Sequence, residues 1–273
     1  MPTRSASLPR NWFRRYLWRP DLHRKLAQRG RLTRRRLSRD DLGDIRRLFA
    51  HRSPQVVFDV GANVGYETDR YLRAFPEAVV HAFEPTPATF VTLQQAYGAH
   101  ARVRLHQVAV STEAGEADFR VDNRVFAGGA NSLLPHGRRF LDDQAHAAYT
   151  TVGVPTVALD EICADTGISH IDLLKLDVEG AELLALTGAA DLLGRSAVDV
   201  IDAEVRVLAD YEGQPLLEDL LAHLGGLGYR LFNLYGDAEA PTGQLLWANG
   251  VWLSPAFRAE LTEHLGRAAT RFD

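Results

Sequence analysis

Asp59, Gly61, Asn63 and Gly65 fall at alternate positions of "FDVGANVG", and Glu84 follows in "HAFEP". A short β-branched run, "VVFDV", precedes the glycine turn Gly61-Ala62-Asn63-Val64-Gly65 and a helical stretch follows it. A dinucleotide fingerprint would need a glycine where Asn63 stands and another where Tyr66 stands, so the turn is not built for a pyrophosphate on bare backbone. The turn also lacks the lysine of a phosphate-binding P-loop. Asp59, at the end of the strand, would repel a pyrophosphate and attract a cation. S-adenosylmethionine carries two cationic centres, an ammonium and a sulfonium. Glu84 ends the next strand, where an acid can take both ribose hydroxyls. Gly61 and Gly65 would let the backbone, with Ala62, pass under the adenosyl group.

A second group of residues suits proton transfer. Asp177 ends "LLKLD" and Glu179 follows it; Asp202 and Glu204 lie in "DVIDAEV" on one face of a strand. Carboxylates at the carboxyl ends of strands border the crevice where α/β sheets bind ligands. There they could deprotonate a hydroxyl acceptor, or Asp177 with Asp202 or Glu204 could offer Mg²⁺ hard oxygen ligands. Blander roles stand beside these. Glu179 could simply charge a helix N-terminus, Asp202 could be a solvated strand end, and Lys175 could be the ion-pair partner of Asp177. No third ligand completes a metal set, and the ten histidines show no zinc spacing. His136 is a further candidate base, Asn131 and Ser132 candidates for touching substrate or cofactor, and Trp247, Asn249 and Trp252 candidate pocket walls.

Alternating strands and helices must position these groups. Strands are expected at 56–60, 79–85, 102–111, 171–177 and 197–205, a strand and a turn into a short helix over 152–163, and helices at 66–75, 87–98, 180–194 and 215–228. Residues 115–121 read as an antiparallel partner or an extension of the strand at 102–111, and 229–235 with 245–253 as a closing antiparallel pair. Residues 122–150 have no clear period, as a functional or mobile loop would. This pattern predicts a doubly wound sheet with an antiparallel edge pair.

Charge divides the chain. Residues 1–52 hold 16 Arg/Lys against 4 Asp/Glu, and the remainder holds 15 against 31. We read 1–52 as a basic helical arm, with Trp12, Phe13, Tyr16 and Leu17 on one side of a short helix and a second helix at 40–50, and 53–273 as the catalytic domain. Such an arm could meet an anionic surface, a second copy of the chain or the acidic body of its own protein. One cysteine, Cys163, no secretory leader and no apolar membrane span suggest a cytoplasmic protein.

In order, "FDVGANVGYET", "HAFEPTP", "HQVAVS", "VPTVALDEI" and "IDLLKLDVEGAE" resemble FkbM-type S-adenosylmethionine-dependent methyltransferases over about residues 55–235. The resemblance implies a class I, Rossmann-like methyltransferase fold and O-methylation of a small molecule, sugar or glycan, or secondary metabolite. It places Asp59, Gly61, Asn63 and Gly65 on the methionine and ribose part, Glu84 on the ribose, Val108 and Ala109 beside the adenine with Ser111 near them, and Asp177 beside the transferring methyl. A nucleic-acid methyltransferase using the basic arm is the alternative. Against it, the chain has no Asn/Asp-Pro-Pro-aromatic tetrapeptide and its cysteine does not follow a proline. A cofactor-binding module without catalysis would need a decayed "KLDVEGAE", which is intact.

Overall fold

The computed structural model describes residues 40–122, 130–135, 137 and 149–266. The expected helix at 10–18 and His136 lie outside the described residues. The elements are α1 (Asp41–Leu48), β1 (Val56–Val60), α2 (Tyr66–Ala74), β2 (Val79–Phe83), α3 (Pro87–Tyr97), β3 (Val103–His106), β4 (Ala109–Val110), β5 (Gly115–Asp122) and β6 (Tyr149–Val157). They continue through α4 (Leu159–Thr166), β7 (Ile171–Leu176), α5 (Glu182–Thr187), α6 (Ala190–Gly194), β8 (Val198–Arg206), α7 (Leu217–Gly226), β9 (Arg230–Glu239), β10 (Leu245–Leu253) and α8 (Pro255–Leu265).

The main sheet runs β3-β2-β1-β7-β8-β10-β9. Its first five strands are parallel and β10 pairs antiparallel with both β8 and β9. This is the class I methyltransferase order, with the reversed strand inserted before the last. Fully apolar "VVF" and "LL" runs suit strands buried on both faces. One face packs Phe58, Val60, Leu174, Leu176, Ile201 and Ala203 under α4 to α7. The other packs Val57, Leu173, Val200 and Val251 under α1, α2, α3 and α8.

Two expected elements are divided. The strand at 102–111 is two strands in different sheets: β3 joins the main sheet and β4 joins a small one, β4-β6-β5. The helix at 180–194 is α5 and α6, interrupted at Gly188, where a Cβ would lie 2.1 Å from the Ser111 carbonyl oxygen. The chain must pass so close to the β4 end there that only glycine fits.

At the amino ends of β7 and β8 the Arg52 guanidinium pairs with Asp172 and Asp199, and its Nε donates to Glu260 at 2.8 Å. Asp172 also accepts from the backbone N–H of Gln55 and Val56 at 2.8 and 2.9 Å. His170 Nε2 lies 2.8 Å from Asp199. This clamp ties the chain entering β1 to the sheet. The preceding helix α1 buries Ile45, Leu48 and Phe49, the last against Phe257 of α8 at 4.8 Å between ring centroids.

Candidate functional site

Beyond the carboxyl ends of β1, β2, β7 and β8 lies a cleft of about 270 Å³. Gly61, Asn63 and Glu84 form one wall, Asp177, Glu179 and Glu204 another, and Phe83, Val108, Ala109, Phe119 and Leu133 give it apolar surface.

The glycine turn is shaped mainly from within. Gly61 and Gly65 have φ +88° and +93°, and Asn63 between them has +52°. A Cβ on Gly61 would stand 1.9 Å from the Asp177 carbonyl oxygen, and one on Gly65 would strike the Tyr97 ring at 2.4 Å. The need for glycine here is thus set by the turn's own contacts with β7 and α3; Gly61 also lines the cleft, whereas Gly65 does not. Ala62 is buried, its N–H donating to the Phe83 carbonyl at 2.9 Å, and Ser111 is held in the β4–β6 pairing; neither lines the cleft. Val108 and Ala109 do line it.

Asp59 lies beneath the turn. It is 1% exposed, accepts from Thr68 Oγ1 at 2.5 Å, and is pushed up to about 7 by burial, against which the Thr68 hydrogen bond works. It shares a cross-strand row with Lys175 and Asp202. Lys175 is fully buried: its Nζ lies 3.6 Å from Asp202 Oδ1 and donates to Asn249 Oδ1 at 3.1 Å. Burial opposes its charge, but Asp202 and then Asp177 raise its pKa above the ordinary lysine value. Two readings are corrected. Asp202 is a buried carboxyl rather than a solvated strand end, and Lys175 pairs with Asp202 rather than with Asp177. Cross-strand register sets both: Lys175 lies directly opposite Asp202.

One step further toward the carboxyl ends the row reaches the cleft. Glu84 is 5% exposed and accepts from the N–H of Asn63 at 3.1 Å and of Thr86 at 2.7 Å. Each oxygen keeps acceptor capacity for a ligand hydroxyl. Carboxylate oxygens of Asp177, Glu179 and Glu204 lie within 4.8 Å of one another. Burial, then Asp177, push Glu204 up to about 8, while Arg206 opposes the shift. Burial and Glu204 likewise raise Glu179 well above the usual carboxylate range.

Glu179 does not charge a helix N-terminus, because α5 begins only at Glu182. Its carboxylate instead accepts from Tyr211 Oη at 2.9 Å and from Arg206 Nη2 at 3.3 Å. Arg206 also pairs with Glu204 at 2.5 Å and Asp210 at 2.9 Å, and lies over the Trp247 ring at 5.7 Å. Trp252 is fully buried packing, with Gly250 fitted against its ring. Part of the irregular segment closes over the cleft: Asn131 Nδ2 donates to Thr86 Oγ1 at 3.3 Å and Ser132 Oγ to the Glu179 carbonyl at 2.7 Å. Sequence reasoning missed Arg206, Tyr211, Glu182 and Phe119. Only Glu182 carried a local signal, as the last acid of "DVEGAE".

A family model described as the methyltransferase FkbM domain matches residues 59–231. The chain belongs to this family. It is 29% identical over 172 residues to the 2-O-methyltransferase NoeI of Sinorhizobium fredii, covering 61% of this chain and 69% of that protein. It is 33% identical over 160 residues to the 31-O-demethyl-FK506 methyltransferase FkbM of Streptomyces tacrolimicus, covering 51% of this chain and 61% of that protein. The chain thus spans roughly two thirds of the length of these relatives. It is an S-adenosylmethionine-dependent methyltransferase of the FkbM family. The cleft suits that donor: apolar side chains offer a slot for the adenine, Glu84 offers acceptors for the ribose, and the carboxylate wall suits a sulfonium. Among the described residues no helix is long and apolar enough to cross a membrane.

Proposed function

We propose that this FkbM-family methyltransferase transfers the methyl group to a hydroxyl of a small molecule, sugar or glycan, with Glu84 and Asn63 holding the donor and Asp177 and Glu204 working at the transfer centre. The observation that carries this reading is the convergence of Asp177, Glu179 and Glu204 on one wall of the cleft. The names of two relatives, both methyltransferases at numbered oxygens, support a hydroxyl acceptor. Bound S-adenosylmethionine supplies a methyl already activated by its sulfonium, which leaves the protein to align the acceptor and remove its proton.

Glu204, its proton affinity raised by burial and by Asp177, is the group suited to take that proton near neutral pH. Asp177 keeps the wall negative where the sulfonium would face it. Arg206, fixed by Glu204, Glu179 and Asp210, holds Glu204 in place. The same three acids form the ligand set Mg²⁺ would use. Since Arg206 already pairs with two of them, we read the step as metal-independent. Turnover should then be indifferent to EDTA; activity lost with chelator and restored by Mg²⁺ would replace Glu204 with a metal-bound acceptor.

Calorimetry tests the donor site. S-adenosylhomocysteine should bind and NAD should not, and Glu84→Ala should weaken S-adenosylhomocysteine about tenfold, as expected for loss of a charged hydrogen-bond acceptor. Tight NAD binding without a response to S-adenosylhomocysteine would falsify the reading. The basic N-terminal residues are read as a contact for an anionic surface or a second copy of the chain, and deleting 1–38 should spare S-adenosylhomocysteine affinity.

A further inference from the structure

The turn carrying Asp177 and Glu179 adopts a conformation its residues do not favour. Glu179 has φ +52° and Gly180 has φ +97°, so two successive residues lie in the left-handed region, the first without the freedom of glycine. Its ends are fixed independently. The Asp177 N–H donates to the Val60 carbonyl at 2.9 Å, and the Glu179 carbonyl accepts from Ser132 Oγ at 2.7 Å. The middle is held by Glu182. Its Oε1 accepts from the N–H of Val178 at 3.3 Å and of Gly180 at 3.2 Å, the two amides that flank Glu179.

Glu182 is 3% exposed and does not line the cleft. A buried carboxylate is costly unless its surroundings hydrogen-bond it, and burial raises its pKa to about 7 while its own amide and those of Gly180 and Val178 work against the rise. Gly180 is pressed between the Tyr211 ring and the Gln214 amide, each 3.1 Å from where a Cβ would stand. The turn therefore meets the Tyr211 side in close contact, and Tyr211 in turn donates to the Glu179 carboxylate.

We propose that Glu182 is a positioning residue for methyl transfer: by accepting the amides on either side of Glu179 it holds the left-handed turn in which Asp177 and Glu179 converge with Glu204 on one wall of the cleft. The proposal rests on the reading of the cleft as the S-adenosylmethionine site. It assigns a role to the last acid of "LDVEGAE", which touches neither donor nor acceptor space.

The test compares wild type, Glu182→Leu, Glu182→Gln and Glu182→Asp by S-adenosylhomocysteine calorimetry, thermal unfolding, and amide hydrogen exchange at residues 178–180. Glu182→Leu should lose about tenfold in affinity, the worth of one or two such hydrogen bonds. Exchange should quicken at Val178 and Gly180 but not at Leu174 or Ile201 of the sheet. Glu182→Gln keeps an acceptor oxygen in the same place and should restore both affinity and protection, an outcome a merely space-filling role would not single out. Glu182→Asp withdraws the carboxylate from the amides and should resemble Glu182→Leu; it carries the test if the leucine variant does not fold. Wild-type affinity in the leucine or aspartate variant despite fast exchange at 178–180 overturns the proposal, as does a glutamine variant no better than leucine. A wild-type protein that does not bind S-adenosylhomocysteine at all refutes the donor-site reading instead.

Discussion

The two ends of strands β7 and β8 each gather three potential ligand groups within 4.8 Å: His170, Asp172 and Asp199 at the amino end, Asp177, Glu179 and Glu204 at the carboxyl end. At the amino end the acids are spent on the fold. Arg52 bridges Asp172 and Asp199, and Asp172 also takes two backbone amides of the chain entering β1. At the carboxyl end one arginine, Arg206, is shared among Glu179, Glu204 and Asp210, and Glu179 and Glu204 are left with raised proton affinity beside a cleft. Similar clusters on the same strands thus differ in setting: the amino-end acids hold the chain entering β1, and the carboxyl-end acids border a cleft.

Substitutions at the two ends should separate activity from stability. Asp177→Asn keeps shape and removes charge. If Asp177 supplies charge beside the transferring methyl, methyl transfer should fall by about 10²–10³-fold, with a much smaller change in S-adenosylhomocysteine affinity and no loss of thermal stability. Normal turnover would end its catalytic assignment. Arg52→Ala should do the reverse. It leaves Asp172 and Asp199 buried without their counter-charge, which costs about 3 kcal/mol, toward the low end for a broken buried pair because Arg52 is partly exposed. Denaturant unfolding reads that loss, while S-adenosylhomocysteine affinity per folded molecule should not change.

Acidity sharpens the contrast further. If Glu204 is the base, the transfer rate should rise as pH increases toward about 8 and level off above it. Glu204→Gln should abolish that rise. Stability should move the other way. A carboxyl whose folded pKa is raised favours the folded state below its unfolded value and loses that contribution as pH climbs through the folded value. Glu204→Gln should therefore melt higher than wild type at pH 9, with the difference vanishing near pH 4. Identical melting temperatures at pH 9 would mean Arg206 fully compensates Glu204. The smallest effect belongs to the chelator, which should change nothing.

Much of this was legible in the chain. The apolar runs "VVFDV" and "IDLLKL" marked central parallel strands, Glu84 and Asp177 could be placed at strand ends because each closes such a run, Glu204 near the end of another, and Asn63 in the glycine turn after the first. What escaped depends on contacts distant in sequence. Nothing local shows that Gly188 must pass the Ser111 carbonyl, so the break between α5 and α6 was hidden. The sequence places the Asp59 carboxylate at the turn and makes Lys175 the partner of Asp177; burial under α2 and pairing across strands set both residues deeper in the sheet. Arg206 joins the site as the last residue of β8, and Tyr211 joins it only because the chain after β8 brings its hydroxyl back to Glu179.

The fit of Gly61 against the Asp177 carbonyl has a wider consequence. The glycine turn and the Asp177 strand end, both of which line the cleft, pack against each other with no spare volume. Neither can shift without carrying the other along. If the cleft serves as proposed, a change of substrate would have little room at this seam. The freedom to do so lies with the parts that reach the cleft from outside the main sheet, at Asn131 to Leu133 and around Tyr211, which can be remodelled while donor and acid stay in register.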